Sequence, residues 1–232
     1  MIILDKISKS FVNNKVIDDL SAEFHQDKIT SIVAPNGMGK TTLISMISGL
    51  MLPDTGKIEF QSSLKQRDVV IVLAGEKNLY AKNTAEENLY YFGIIRGHSR
   101  KEIRGQIDEF LYLFPLYSKI RTKIVEELSY GQKRLIALFS AIVSGAQCII
   151  VDEASEGLDM EYVELIRELF QIIKSNRTII ITSHDYKFVA ETADTSLLLK
   201  EGKIVKVLEH SSTDTLVEEY LNVFGNATKE AK

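Results

Sequence analysis

The chain has 232 residues, 45% of them hydrophobic and 26% charged, so it can bury a large core and has the composition of a globular protein, not a disordered one. Its net charge of -4 offers no basic footprint, and nucleic acid is not expected as a partner. In chain order, Ile2-Ile3-Leu4, Lys15-Val16-Ile17 and residues 21–25, ending at His25, read as short strands, with polar turns at Asn13-Asn14 and Asp18-Asp19. Phe11 lies in the first connection, where an aromatic is either core or a ring free to stack on a base. Met1-Ile2-Ile3-Leu4 runs directly into Asp5 and Lys6, which is no signal-peptide pattern.

Residues 29–33 are short, apolar and β-branched, and predict a buried strand. Ala34-Pro35-Asn36-Gly37-Met38-Gly39-Lys40-Thr41-Thr42 follows, then Leu43, Ile44, Met46, Ile47 and Leu50 at helical spacing. A strand–loop–helix with this sequence has the parts of a phosphate-binding loop. Gly37 and Gly39 allow the backbone to curl so that its N–H groups converge, and the helix N-terminus favours a polyphosphate. Lys40 can reach β- and γ-phosphates, and the Thr41 hydroxyl can ligate Mg²⁺. Ala34 stands at the first glycine of the pattern G-x-x-x-x-G-K-S/T, which is tolerable if its φ stays negative.

Gly49 and Pro53-Asp54-Thr55-Gly56 mark a stop and a turn, and residues 57–61 and 68–73 are strand candidates. Thr84-Ala85-Glu86-Glu87 is a capping-box pattern opening a helix with Leu89, Tyr90, Phe92, Ile94 and Ile95. Ile103, Ile107, Phe110, Leu111 and Phe114 give a second amphipathic helix, ending before Pro115. No charge occurs from Leu135 to Val151, yet this run is shorter than the about twenty residues of a spanning helix. Ser144-Gly145-Ala146-Gln147 divides it into a buried helix and a buried strand. Cys148, the single cysteine, can close no internal disulfide, which fits a reducing compartment, and its neighbours make it a core residue. Residues 148–152, 159–174, 178–182 and 185–192 then alternate strand and helix, implying a parallel sheet with helices on both faces. Residues 196–199 and 204–208 flank a hairpin turn at Glu201-Gly202-Lys203, and residues 215–224 form a short amphipathic helix before a tail.

Ile149-Ile150-Val151 ends in Asp152 and Glu153. Ligands of open α/β sheets lie beyond the carboxyl ends of strands, which puts these acids beside the loop at Lys40. Asp152 suits Mg²⁺ and Glu153 suits activation of an attacking water; by itself such a pair would be an acidic strand end in solvent. Leu128-Ser129-Tyr130-Gly131-Gln132 opens a helical run, and Ser129 and Gly131 offer a hydroxyl and unhindered N–H groups to an anion. His184 follows the strand at 178–182, where it can donate to a γ-phosphate.

Taken together and in this order, these motifs resemble the ATP-binding subunit of an ATP-binding cassette (ABC) transporter, over roughly residues 1–210. The family signature LSGGQ is matched by Leu128-Ser129-Tyr130-Gly131-Gln132, the Walker B motif by residues 149–153, the D-loop by Ser155-Glu156-Gly157-Leu158-Asp159, and the switch histidine by His184. The resemblance implies an α/β P-loop NTPase core with a parallel sheet, an N-terminal antiparallel β part and an inserted helical subdomain. Residues 1–224 would form a single ABC ATPase domain: 1–83 and 146–210 the nucleotide-binding core, 84–145 the helical subdomain with the signature, and 211–232 the C-terminal helix and tail.

It further implies hydrolysis of ATP with Mg²⁺ in a head-to-tail pair of ATPase subunits, homodimeric or heterodimeric. ATP would lie between Asn36, Gly37, Met38, Gly39, Lys40, Thr41 and Thr42 of one copy and Ser129, Gly131, Gln132 and the D-loop Asp159 of the other. Phe11 falls where the family stacks adenine. Lys40, Glu153 and His184 would be catalytic, and Thr41 and Asp152 would hold the metal. An integral membrane permease would receive the force, leaving this chain peripheral on the inner face of the cell membrane. The short chain and Glu76-Lys77-Asn78-Leu79-Tyr80 resemble export-type cassettes for drugs, antibiotics or peptides; import, or a soluble ATPase acting on ribosomes or DNA, is the alternative. Two departures stand beside Ala34. Ala154 replaces a proline that often follows the acidic pair. The Q-loop glutamine, due near Ala74-Gly75, is missing, and Glu76 or water is expected to take its place.

Overall fold

The computed structural model describes residues 1–12, 14–61, 63–75 and 78–225. Asn13 of the first expected turn, the proposed substitute Glu76, and the tail beyond 225 lie outside the described residues. The chain begins with β1 (Ile2–Phe11), β2 (Asn14–Phe24), β3 (Lys28–Val33), α1 (Lys40–Ser48), β4 (Thr55–Phe60) and β5 (Val69–Val72). A helical stretch follows: α2 (Ala85–Ile95), α3 (Arg100–Phe110), α4 (Tyr117–Ile120) and α5 (Tyr130–Val143). It closes with β6 (Cys148–Val151), α6 (Met160–Ile173), β7 (Thr178–Thr182), α7 (Tyr186–Thr192), β8 (Thr195–Lys200), β9 (Lys203–Glu209) and α8 (Thr213–Phe224).

The N-terminal part corrects one expectation. Residues 14–24 form a single strand, not two strands with a turn at Asp18-Asp19, and His25 lies beyond its end. The cross-strand pairs Ile7↔Leu20 and Lys9↔Ile17 hold the hairpin together, and the surplus residues are absorbed as irregular register. Asp19 takes φ 50° there and its N–H donates to Ser8 Oγ at 2.9 Å. Two acidic residues in sequence favour a turn locally; long pairing on both sides outweighs them. β2, β1 and β4 make a three-stranded antiparallel sheet in that order.

The second sheet runs β5-β6-β7-β3-β8-β9. Its first five strands are parallel, and β9 returns antiparallel to β8 as the expected hairpin. Ile149, Ile150, Val151, Ile179, Ile180 and Ile181 have no exposed surface, as continuous apolar runs should when helices cover both faces. The uncharged stretch resolves into the end of α5, a turn and β6, and Cys148 is fully buried, its thiol raised to about 12 by desolvation. Among the described residues no helix is long and apolar enough to cross a membrane.

The helices start where their caps dictate. Thr84 Oγ1 accepts from the Glu87 N–H and the Glu87 carboxylate accepts from the Thr84 N–H, and Ser99 with Glu102 repeats the arrangement at α3. α3 stops at Phe110 and tightens into a single turn of 3₁₀ helix, Leu111–Leu113, ahead of Pro115. α5 is buried along most of its length, and Phe139 on it stacks on Phe114 with centroids 4.1 Å apart and meets Tyr117 edge-on at 5.2 Å. Phe139→Ala would open a void there that the flanking rings fill poorly. It is expected to cost about 3–5 kcal/mol, read by chemical denaturation.

Candidate active site

Three neighbouring parallel strands deliver the site. β6, β7 and β3 lie side by side, and the register pairs Val151 with Ile181 and Thr182 with Ile32. Their carboxyl ends therefore lie level, and the segments that leave them, 152–159, 183–185 and 34–39, converge on one rim.

The loop after β3 is shaped by its glycines. Gly37 and Gly39 take φ +81° and +95°, a region that side chains avoid. Gly39 is also crowded: a β-carbon there would stand 2.9 Å from Val16 Cγ1 of β2. Ala34 is outside the left-handed region and its methyl group is buried, so the glycine of the usual pattern is not required. The N–H of Leu43 makes a bond to Gly39 O at the start of α1, and the first-turn N–H groups ahead of it face the loop concavity. Asn36, Gly37 and Thr41 are exposed on that concavity, with Met38 and Thr42 partly covered. Lys40 is buried, and its Nζ donates to Ala34 O at 2.8 Å and Pro35 O at 3.3 Å. Desolvation lowers its pKa, while Glu153 and Asp152 act in the opposite sense.

The acidic end of β6 is organised by one hydroxyl. Thr182 Oγ1 donates to Asp152 Oδ1 at 2.6 Å and accepts from the Glu153 N–H at 2.8 Å. Glu153 sits in left-handed backbone at φ 47°. Its Oε1 lies 2.9 Å from His184 Nε2, with the carboxylate 14% exposed and the imidazole 44%. Burial raises the Glu153 pKa; His184 and Lys40 pull it back down. Ser155 Oγ and Ser183 Oγ are 2.7 Å apart, tying the two loops together, and the Ala154 N–H donates to Thr182 O at 2.8 Å.

Lys40, Asp152, Glu153 and His184 are thus brought together. Ser129, Gly131 and Gln132 are elsewhere, at the first turn of α5: Ser129 Oγ accepts from the Gln132 N–H at 3.3 Å, and Gln132 Oε1 accepts from the Ser129 N–H at 3.2 Å. Among the described residues no hydrogen bond or ion pair joins this turn to Lys40, Asp152, Glu153 or His184. Ser129 is exposed, and so is Asp159 at the cap of α6, but Gln132 is half-buried and Gly131, expected to be unhindered, is buried beneath the Tyr162 ring. Phe11 is not a core residue: it ends β1 with 42% of its surface exposed, the Lys9 ammonium 5.9 Å from its ring centre. Asn78 closes the loop that lacks the glutamine, its Oδ1 accepting from the Leu73 N–H at 2.7 Å and its Nδ2 donating to Leu73 O at 2.8 Å.

Two residues escape the sequence reading. One is Thr182. The other is Arg134 on α5, which is buried and donates to Leu73 O at 2.5 Å, to Glu153 O at 3.2 Å and to Asp152 O. One guanidinium fork therefore holds the ends of β5 and β6 against the helix that begins at Ser129. Its only sequence signal is a charge abutting the uncharged run from Leu135. Thr182→Val keeps the shape of the strand end but strands the Glu153 N–H and removes a donor from buried Asp152. Unfolding titration is expected to show a loss of about 1–3 kcal/mol.

Comparison with known proteins gives the family and the fold. The family profile described as "ABC transporter" matches residues 17–156, more than half of the chain. The Nod factor export ATP-binding protein I of Rhizobium sp. (strain N33) is 31% identical, across 97% of this chain and 76% of that protein. The tungstate uptake system ATP-binding protein TupC of Peptoclostridium acidaminophilum is 29% identical, across 88% and 96%. Among solved structures, an ATP-binding subunit of an ABC transporter superposes with a TM-score of 0.84 at 21% identity, covering 95% of this chain and 99% of that one, a likeness of fold. The chain belongs to the ABC transporter family, as one of its ATP-binding subunits.

Proposed function

We propose that this chain hydrolyses ATP to power export of a drug, antibiotic or peptide through a separate integral membrane permease. The observation that carries the hydrolytic reading is the Glu153–His184 contact of 2.9 Å on the rim shared with Lys40. Lys40 and the N–H groups of residues 36–42 bind the phosphates, and exposed Phe11 stacks on the base. Glu153, its backbone held by Thr182 and Arg134, takes up the proton of the attacking water; His184 orients it and faces the γ-phosphate. The oxygen donors Thr41 and Asp152 suit Mg²⁺, which would neutralise phosphate charge. Among the described residues no group of three or more His, Cys, Asp or Glu is placed to hold a metal ion by itself.

Ser129, Gly131, Gln132 and Asp159 serve a second copy or a related subunit. Ser129 and Asp159 are exposed, and among the described residues no hydrogen bond or ion pair ties the Ser129 or Gln132 side chain to the chain's own Lys40, Asp152, Glu153 or His184, which supports closure on a neighbour's nucleotide. ATP then favours the closed pair because its γ-phosphate touches both subunits, and hydrolysis releases it. Through the permease the chain would sit on the inner face of the cell membrane. Export is supported by the relative named for Nod factor export, which aligns over nearly the whole chain. Import is the second reading, supported by the tungstate uptake relative of similar length.

Glu153→Gln is expected to bind ATP, to hydrolyse it about a hundredfold more slowly and to elute as a dimer in ATP. Unchanged phosphate release would remove Glu153 from the mechanism. Lys40→Ala should lose ATP binding in a titration, and chelation of Mg²⁺ should stop turnover of the unaltered protein. Purification with its membrane partner, followed by measuring which way cargo moves in sealed vesicles, decides between export and import.

A further inference from the structure

Two tyrosines and two glycines interlock where α5 and α6 begin. Gly131 lies beneath the Tyr162 ring, and a β-carbon there would come within 2.8 Å of Tyr162 Cδ2. Gly157, at φ +68°, lies against the Tyr130 ring, with Cε1 3.1 Å from the position of a β-carbon. Tyr130 and Gly131 are the first two residues of α5, and Gly157 and Tyr162 flank the start of α6. Each segment contributes one ring and one glycine. The rings approach bare backbone, so the joint has little slack: dispersion contacts weaken steeply with a gap of even half an ångström.

Tyr130 also shares a face of α5 with Arg134, one turn further on. Arg134 grips the carbonyls of Asp152 and Glu153, and Tyr130 covers Gly157. The turn that carries Glu153 is therefore held from α5 at both ends. The same first turn of α5 carries the exposed Ser129.

We infer that Tyr130 and Tyr162 are positioning residues that make the Ser129 turn and the Glu153 turn move as one piece. Contact made at Ser129 with a neighbouring subunit's nucleotide then sets the place of Glu153 over this subunit's own. The inference rests on the composite-site reading given above. Neither tyrosine is asked to touch a reacting atom; both act through the backbone of residues 152–157. Loss of the lock should leave phosphate binding at Lys40 intact and displace the base, and a misplacement of about 1 Å costs on the order of a hundredfold in rate.

The test is steady-state ATP hydrolysis by the whole chain, with fluorescent ATP-analogue binding and a thermal melt for each variant. Tyr130→Ala is expected to lower kcat by about tenfold or more while KM and analogue binding stay within about twofold. Tyr130→Phe, which keeps the ring, should restore kcat. The pair Tyr130→Ala/Tyr162→Ala should be no slower than the slower single variant, because both break one joint. Gly157→Ala presses on the same ring from the other side and should give the same fall in kcat, which covers the case of a Tyr130→Ala protein that does not fold. Full kcat in Tyr130→Ala, or in Gly157→Ala where the former is unfolded, overturns the inference, as do additive losses in the double variant. Absence of hydrolysis in the unaltered protein, or full hydrolysis in Glu153→Gln, overturns the composite-site reading instead.

Discussion

The site depends on parallel pairing of three strands. β3, β7 and β6 lie next to one another in fixed register, so an ammonium-bearing loop, an imidazole and two carboxylates leave the sheet at one level. A slip of one residue in β7 would turn Thr182 to the other face and break its hydroxyl's bonds to Asp152 Oδ1 and to the Glu153 N–H. Both faces of these strands are buried, so a slip would exchange one isoleucine for another, and the polar bonds of Thr182 at the strand end are what distinguish the register.

Charge is balanced tightly on that rim. Lys40 is desolvated, which disfavours its charged form, and Glu153 is desolvated in the opposite sense. Each charge offsets part of the other's desolvation across the rim. The buried Arg134 adds a third fixed charge, yet its Nη1 and Nη2 donate to carbonyl oxygens and not to the carboxylates. That leaves the Glu153 carboxylate to His184 and gives the backbone of its left-handed turn a firm anchor.

Local chemistry wrote much of this into the sequence. Strand 178–182 and the caps at Thr84 and Ser129 are set by β-branching and by side-chain oxygens within three residues. The loop at Lys40 was legible for the same reason: its glycines, lysine and threonine are contiguous, and a strand and helix frame them. The expected turn at Asp18-Asp19 failed because the deciding partners, Ile7 and Ser8, belong to another strand. Arg134 and Thr182 were invisible for a similar reason: their bonds reach Leu73, Asp152 and Glu153, remote in sequence, and neither belongs to a motif. Phe11 could not be assigned until its exposure was known, since an aromatic beside a turn reads equally as core or as platform.

The reciprocal cap at Ser129 and Gln132 has a consequence for what the outer turn can hold. The serine oxygen accepts from one amide and the glutamine oxygen accepts from another, so both side chains spend acceptor capacity inward. Each oxygen keeps a second lone pair, and the hydroxyl proton and the NH₂ of the glutamine remain to donate. The cap therefore fixes both side chains at the mouth of the helix without exhausting either oxygen, and the turn meets a ligand with its side chains already ordered.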